Sequence, residues 1–236
     1  MEFSTRDGDN KMNVKSYILI LYKKFLFWFK WSPIYLRFIL KGNKRCFNIF
    51  THLSKKERLL LYKLALSLPK NSVLVEIGSY LGASAAFLSS AAGERNHTLY
   101  CVDTWRNDAI DDPREKEGRD TFKEFNRNIN KYVKRKYVKR ITLLRGLSCD
   151  MAKKFQGRID LLFIDADHSY EGCRSDIESW LPFVKNEGIV VFHDYGWAEG
   201  IRKAVKEIIF PIQIGKSNIE DITYWARIKK GEVYDV

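Results

Sequence analysis

The densest chemistry in the chain lies in two short acidic clusters. The first reads Phe163-Ile164-Asp165-Ala166-Asp167-His168-Ser169-Tyr170-Glu171-Gly172 and follows an apolar run directly. Asp165, Asp167 and His168 therefore emerge where a buried strand ends. The second, His193-Asp194-Tyr195, follows the apolar run Gly188 to Phe192. Neighbouring parallel strands lie ~4.8 Å apart, so the two ends can converge on one metal or one substrate. Asp165 with Asp194 makes a hard oxygen pair suited to Mg²⁺. A histidine added to that pair, His193 among the candidates, would also admit Mn²⁺ or Fe²⁺. Without a metal, the two aspartates would orient a substrate or cap helices.

A third segment supplies a ligand turn. Val75-Glu76-Ile77-Gly78-Ser79-Tyr80-Leu81-Gly82 ends an apolar run in two glycines four residues apart. Such spacing permits a tight strand-to-helix turn and close approach of a ligand to the backbone. Glu76 selects among ligands, because a carboxylate there repels a pyrophosphate and suits a cation. S-adenosylmethionine, with its sulfonium and ammonium groups and no phosphate, has that character. Asp103, in Tyr100-Cys101-Val102-Asp103-Thr104-Trp105, ends the next apolar run. An acid at that position can accept hydrogen bonds from both ribose hydroxyls. Trp105 can offer a ring face to adenine.

These positions are useful only if one sheet gathers them. From Ser72 onward, strand-like and helix-like runs alternate. SVLVEIG, TLYCVDTW, RITLLRG, DLLFIDAD and GIVVFHD are the strands, and helices are expected near 84–92, 121–133, 148–155, 173–183 and 201–209. This alternation predicts an α/β, doubly wound, mostly parallel sheet. Two closing strand candidates, about Ile208–Ile214 and Ile222–Ile228, predict an antiparallel hairpin at one edge. Ligands then bind beyond the carboxyl ends of the strands.

Charge is distributed unevenly. Residues 1–70 hold 15 Lys and Arg against 4 Asp and Glu, whereas residues 71–236 hold 26 against 25. All but one unit of the net +12 thus lies in the first third. A nucleic-acid enzyme would place its basic surface at the cleft, so nucleic acid is not the expected partner. An anionic membrane surface or an acidic partner fits better. Tyr17 to Trp31 is apolar and aromatic but carries Lys23, Lys24 and Lys30. A bilayer span needs ~20 mostly apolar residues, so a clean transmembrane helix is not expected. Ser32-Pro33 reads as the N-cap and first turn of a second helix to about Leu40. Lys23, Lys30 and Arg37 would share one face of a continuous helix, either on lipid headgroups or against protein. Ser54 and Glu57 form a capping box for a helix over 52–68. Residues 1–50 are thus expected to be a basic aromatic N-terminal extension, and residues 51–236 the catalytic domain. His52 and His97 read as solvated and Trp180 as core. The basic run Lys131–Arg140 reads as a solvated helix end. The four cysteines form no CxxC pair and suit reduced thiols in a cytoplasmic protein, peripheral at most to the inner membrane face.

Taken together, VEIGSYLGAS, CVDTW, FIDADHSYEG and DIESWLPFVKNEGIVVFHDY resemble the class I S-adenosylmethionine-dependent methyltransferases. The closest branch is the small-molecule O-methyltransferases, which include catechol, caffeoyl-CoA and macrocin-type sugar enzymes. The resemblance spans about 70–228. It implies a seven-stranded sheet with the last strand antiparallel. It implies that Glu76, Gly78, Ser79 and Gly82 border the methionine part of the cofactor, that Asp103 holds the ribose, and that Ser148 lies near the adenine. In metal-dependent members an aspartate ending strand four and an Asp-Asn pair ending strand five hold the cation. Asp165 and Asp194 match two of these positions, and Tyr195 replaces the Asn. His168 falls where the catechol enzymes have a catalytic lysine, and a histidine there can act as general base. The implied reaction is methylation of a small-molecule or saccharide hydroxyl. Two alternatives stay open: a metal-dependent hydroxylase on the same fold, and a non-catalytic nucleoside-binding module tethered to a membrane. Oligomeric state is not legible.

Overall fold

Five runs of Val, Ile, Leu and Phe form the parallel heart of the sheet: β1 (Val73–Ile77), β2 (Thr98–Asp103), β3 (Ile141–Arg145), β4 (Ile159–Ile164) and β5 (Val184–Phe192). They belong to a computed structural model that describes residue 25, residues 29–106 and residues 120–231. β6 (Gln213–Glu220) and β7 (Thr223–Ile228) complete seven strands in the order β3-β2-β1-β4-β5-β7-β6. β7 runs antiparallel to both its neighbours, so the closing hairpin lies at one edge as expected. All six residues of β4 are buried, because helices cover both faces of the sheet.

The two faces follow from the period of two along each strand. Leu74, Leu161, Phe163, Ile189 and Val191 face one core. Helix α1 (residues 29–40), α2 (Lys55–Ser67), α3 (Ala83–Arg95), α4 (Thr121–Tyr132) and the short α5 (Arg135–Val138) cover that side. Val75, Ile77, Leu162, Ile164, Val190 and Phe192 face the other core, under α6 (Ser148–Ala152), α7 (Tyr170–Trp180) and α8 (Glu199–Ala204). Strand order reverses between β1 and β4, and the crevice at that switch point is where ligands enter such sheets.

Several local expectations change. Most of Tyr17–Trp31 lies outside the described residues, but Ser32 is not an N-cap: residues 29–31 are already helical and α1 runs through Pro33. Trp31 and Phe38 are buried on either side of the proline and hold α1 to the first core. Cys46 and Ile49 join the same core, so packing does not divide at residue 50. Lys30 and Arg37 do not form a free cationic face, since they pair with Glu220 and Glu94. The strand expected over Ile208–Ile214 starts only at Gln213. Val205–Ile209 continues α8 as a π-helical turn with Val205 and Ile209 buried, and a 3₁₀ turn over Phe210–Ile212 follows. His97 is buried, with Nδ1 accepting from the Ser72 amide at 3.1 Å and Nε2 3.0 Å from the Ala65 carbonyl oxygen. The capping box on α2 forms as expected, and Trp180 is core.

The attachment of α1 is testable. The Phe38 ring stacks on Phe87 at 4.3 Å and meets Tyr62 edge-on. Phe38→Ala is expected to destabilise the protein by about 3–5 kcal/mol in urea unfolding. A loss below about 0.5 kcal/mol would show that α1 is not part of the core.

Candidate active site

The site begins at the turn after β1. Gly78 has φ +84°, and a Cβ there would lie 1.9 Å from the carbonyl oxygen of Asp165. Only glycine therefore lets the ends of β1 and β4 meet at the switch point. Gly82, φ +86°, opens α3. Glu76 is fully buried beneath the turn. Its Oε2 accepts from Ser79 Oγ at 2.6 Å, while Oε1 has no hydrogen-bond partner. Burial pushes its carboxyl up to about 7.

Asp103, ending β2, braces this turn. Its Oδ2 accepts from the Ser79 and Tyr80 amides, both at 2.8 Å, and Oδ1 accepts from the Trp105 amide at 2.6 Å. The carboxylate lines the cleft, but its first duty is to hold the glycine turn in shape. Trp105 departs from expectation. It is buried, its ring contacts Phe122 and Phe125, and its Nε1 donates to the Tyr80 carbonyl at 3.0 Å. Its ring packs in the core beside the turn and is not part of the cleft wall. Ser148 opens α6 on the cleft wall, where its Oγ accepts from Trp180 Nε1 at 2.8 Å.

The strand-four and strand-five ends converge as the sequence predicts. His193 Nδ1 lies 3.0 Å from both Asp165 Oδ1 and Asp194 Oδ2. His168 Nε2 lies 2.9 Å from Asp194 Oδ2. Asp194 adopts φ +57°, a strained conformation that aims its carboxylate back at both rings. Burial opposes its ionisation, yet hydrogen bonds from His168, His193 and Trp197 hold its carboxyl well below the usual range. Burial alone would lower His193, but Asp165, Asp194 and Glu57 outweigh it and push it up to about 12. The hydrogen bond to Asp194 raises His168 as well.

These groups line one cleft of about 780 Å³ at the switch point. Asp103, Asp165, Asp167, Asp176 and Asp194 are on its wall, and among the described residues no Lys or Arg is. The chain is strongly basic overall, so an acidic cleft selects for a cationic ligand and against a phosphate. Phe50, His52, Leu147 and Trp197 rim the opening. His52, expected to be merely solvated, thus belongs to the site.

The match to a family model described as a methyltransferase domain covers residues 75–195, from β1 to the end of β5. The chain belongs to this methyltransferase family. An uncharacterised protein of Acanthamoeba polyphaga mimivirus is 39% identical over 61 residues, which is 25% of this chain and 28% of that protein. The chain therefore spans little more than a quarter of that relative's length. Among solved structures, a putative caffeoyl-CoA O-methyltransferase from Staphylococcus aureus superposes with TM-score 0.60 at 15% identity, over 90% of this chain and 100% of that one. CalS11, a TDP-rhamnose 3'-O-methyltransferase of calicheamicin biosynthesis, gives 0.51 at 15% identity over 72% and 76%. At these identities the likeness is one of fold.

The chain supplies part of the expected metal site. Asp165, His168 and Asp194 bring ligand atoms within 4.8 Å of one another. Asp165 Oδ1 and Asp194 Oδ2 also each lie 3.0 Å from His193 Nδ1, so a cation held there would share these oxygens with a histidine. Tyr195 is buried with its ring 4.9 Å from Tyr224 and supplies no replacement for the expected Asn. The family match favours methyl transfer over the hydroxylase alternative.

Glu57 is the functional residue that sequence reasoning missed. It caps α2, and its Oε1 also accepts from Thr223 Oγ1 at 2.8 Å and lies 3.6 Å from His193 Nε2. Its sequence signal was complete at the level of a helix cap, and nothing local announced the histidine 136 positions away. Because folded His193 titrates far above its ordinary 6.5, its stabilisation is full below about pH 6.5 and is lost as pH rises towards about 12. Glu57→Ala removes one partner of that buried charge, so a loss of about 3–5 kcal/mol is expected in urea unfolding at pH 7. A loss near the ~1 kcal/mol of a helix cap alone would show that the contact to His193 carries no weight.

Proposed function

We propose that this methyltransferase moves the methyl group of S-adenosylmethionine to a hydroxyl of a small-molecule or saccharide acceptor. The acidic cleft at the switch point, built on the Gly78 turn and free of Lys and Arg among the described residues, carries this reading. The residues fit such a ligand. Gly78 lets β4 close against the turn, Ser79 and Tyr80 line the cleft beside it, and Glu76 Oε1, buried beneath, has no hydrogen-bond partner. When bound, the cofactor supplies an electrophilic methyl on a sulfonium.

The chain's own groups do the rest. Gly78, Ser79 and Gly82 border the methionine part, with Glu76 beneath them holding negative charge for its ammonium. Asp103 fixes the turn and presents the ribose side, and Ser148 lies at the adenine end. His168 accepts the proton of the attacking acceptor hydroxyl, which is a poor nucleophile until that proton leaves. Asp194 orients His168 and stabilises its charged form. Asp165 and Asp194 fix the acceptor's approach, and the Phe50 and Trp197 rings shield the reacting atoms from water. If a divalent cation binds, Asp165, His168 and Asp194 would hold it, and it would ease loss of the acceptor's proton. Fold likeness to sugar and caffeoyl-CoA O-methyltransferases supports oxygen as the nucleophile. The finer reading of the basic, aromatic N-terminal segment is a tether to an anionic membrane surface. No described helix is long and apolar enough to cross a membrane.

Calorimetry with S-adenosylhomocysteine tests the cofactor site. Cation binding favours ionised Glu76, whose carboxyl stands at about 7 in the free protein. Binding should therefore release a proton, and affinity should rise from pH 6 to about 8 and then level off. Glu76→Gln should bind more weakly and lose this dependence. An absence of binding by folded wild-type protein would remove the reading.

His168→Ala should lower turnover by ~10²–10⁴-fold on an acceptor found by screening sugars and phenols, with S-adenosylhomocysteine affinity near normal. The acid limb of the wild-type rate profile should lie above pH 6.5, because Asp194 raises His168 and the base must be neutral to act. Full activity in His168→Ala would exclude it as the base.

A further inference from the structure

Helix α1 is apolar on two sides. At 100° per residue, Trp31 and Phe38 point one way, and both are buried in the core. Phe29, Leu36 and Leu40 fall within about 40° of one another on the opposite side. They are 79%, 48% and 84% exposed. A helix apolar all round is normally covered all round, so this outer stripe calls for a partner.

The charge beside the stripe indicates which partner. Lys41 follows α1 directly, and its carbonyl accepts from the Lys134 ammonium. Arg45 and Lys131 both approach the Tyr132 ring, at 6.0 Å and 5.0 Å, while Cys46 Sγ contacts the Tyr132 carbonyl at 3.5 Å. Lys134 and Lys136 lie 5.6 Å and 5.2 Å from the Tyr137 ring. Two basic segments some 90 residues apart, 41–45 and 131–136, are thereby folded into one cluster. None of its cations has an acidic partner among the described residues, in contrast to Lys30 and Arg37.

We propose that the outer face of α1 and this composite basic cluster form one surface that docks on an anionic lipid bilayer. Phe29, Leu36 and Leu40 enter the headgroup–acyl boundary, and the cluster beside Leu40 engages anionic headgroups. Nucleic acid would use the cations but leaves the apolar stripe unexplained, whereas a second copy of this chain would set two such basic clusters against each other. The inference deepens the tether reading by adding residues 131–136, which lie in the catalytic domain, to the N-terminal contact.

The test is vesicle sedimentation of the full chain with phosphatidylcholine vesicles, with and without about one-third phosphatidylglycerol. Wild type should bind only the anionic vesicles, and binding should weaken with salt. Each lysine near such a surface contributes roughly fivefold. Lys131→Glu/Lys134→Glu/Lys136→Glu should therefore lower partitioning by roughly a hundredfold or more. Leu36→Glu/Leu40→Glu should lower it comparably, and both variants should retain S-adenosylhomocysteine binding as proof of folding. If the 131–136 variant partitions like wild type while Lys23→Glu/Lys24→Glu loses binding, the tether stands and the composite surface falls. No wild-type binding to anionic vesicles overturns both. A salt-sensitive complex with an oligouridylate probe in place of vesicle binding, or a dimer abolished by Leu36→Glu/Leu40→Glu with vesicle binding intact, also overturns the composite surface.

Discussion

One buried histidine, raised well above its ordinary range by the carboxylates around it, holds the acidic edge of the cleft together. His193, at the end of β5, faces Asp165 from β4, Asp194 beside it, and Glu57 from α2. Three carboxylates this close would otherwise repel one another in a weakly screened interior. With the cation between them, they attract it and fix their own positions. Glu57 extends the constraint outward, because the same carboxylate accepts from Thr223 and Ile222 at the closing hairpin and caps α2. The geometry of the site therefore depends on elements far from it in sequence. Any change that neutralises His193 leaves buried carboxylates without their counter-charge.

The second constraint is steric and lies at the switch point. Asp165 donates its amide to the Ile77 carbonyl at 2.8 Å, which brings β4 against the turn after β1. That approach leaves no room for a Cβ at residue 78. Tyr80, Trp105 and Asp194, which follow β1, β2 and β5, all take positive φ. Non-glycine residues adopt this conformation at a cost that the surrounding packing must impose. Here the buried Trp105 ring and the Asp103 hydrogen bonds impose it on one side, and His193 on the other. The cleft is thus preorganised by its walls before any ligand arrives.

Much of this was legible in the sequence, for identifiable reasons. Strand ends are marked by apolar runs that stop at polar residues, so Glu76, Asp103, Asp165 and Asp194 could be placed from composition alone. The turn chemistry of Gly78 is local, and so is the capping box at Ser54 and Glu57. What escaped was contact across distance. Glu57 as a partner of His193, His52 as part of the cleft, and the burial of His97 depend on which elements pack together. Trp105 misled because an aromatic after a ribose-binding acid suits adenine, whereas here the ring is consumed in bracing the turn. The register of β6 was misplaced because Ile208–Ile214 is apolar enough for a strand, yet its first residues serve as the buried end of a helix.

The contrast between an acidic cleft and a basic exterior also constrains the acceptor. A hydroxyl that reaches His168 comes within a few ångströms of the Asp194 carboxylate, whose Oδ2 lies 2.9 Å from His168 Nε2. Low-dielectric walls strengthen that field relative to water. A phosphate close to the reacting oxygen would meet repulsion from the wall aspartates that His193, already paired with Asp165 and Asp194, is poorly placed to offset, and no described Lys or Arg lines the wall. A neutral polyol or phenol would meet none, and its hydroxyls could donate to the same carboxylates. If an acceptor carries a phosphate, that group must stay at the rim, beyond Phe50 and Trp197, where solvent screens the aspartates. The field that would draw a sulfonium into the cleft would therefore also orient an acceptor, with its least charged end inward.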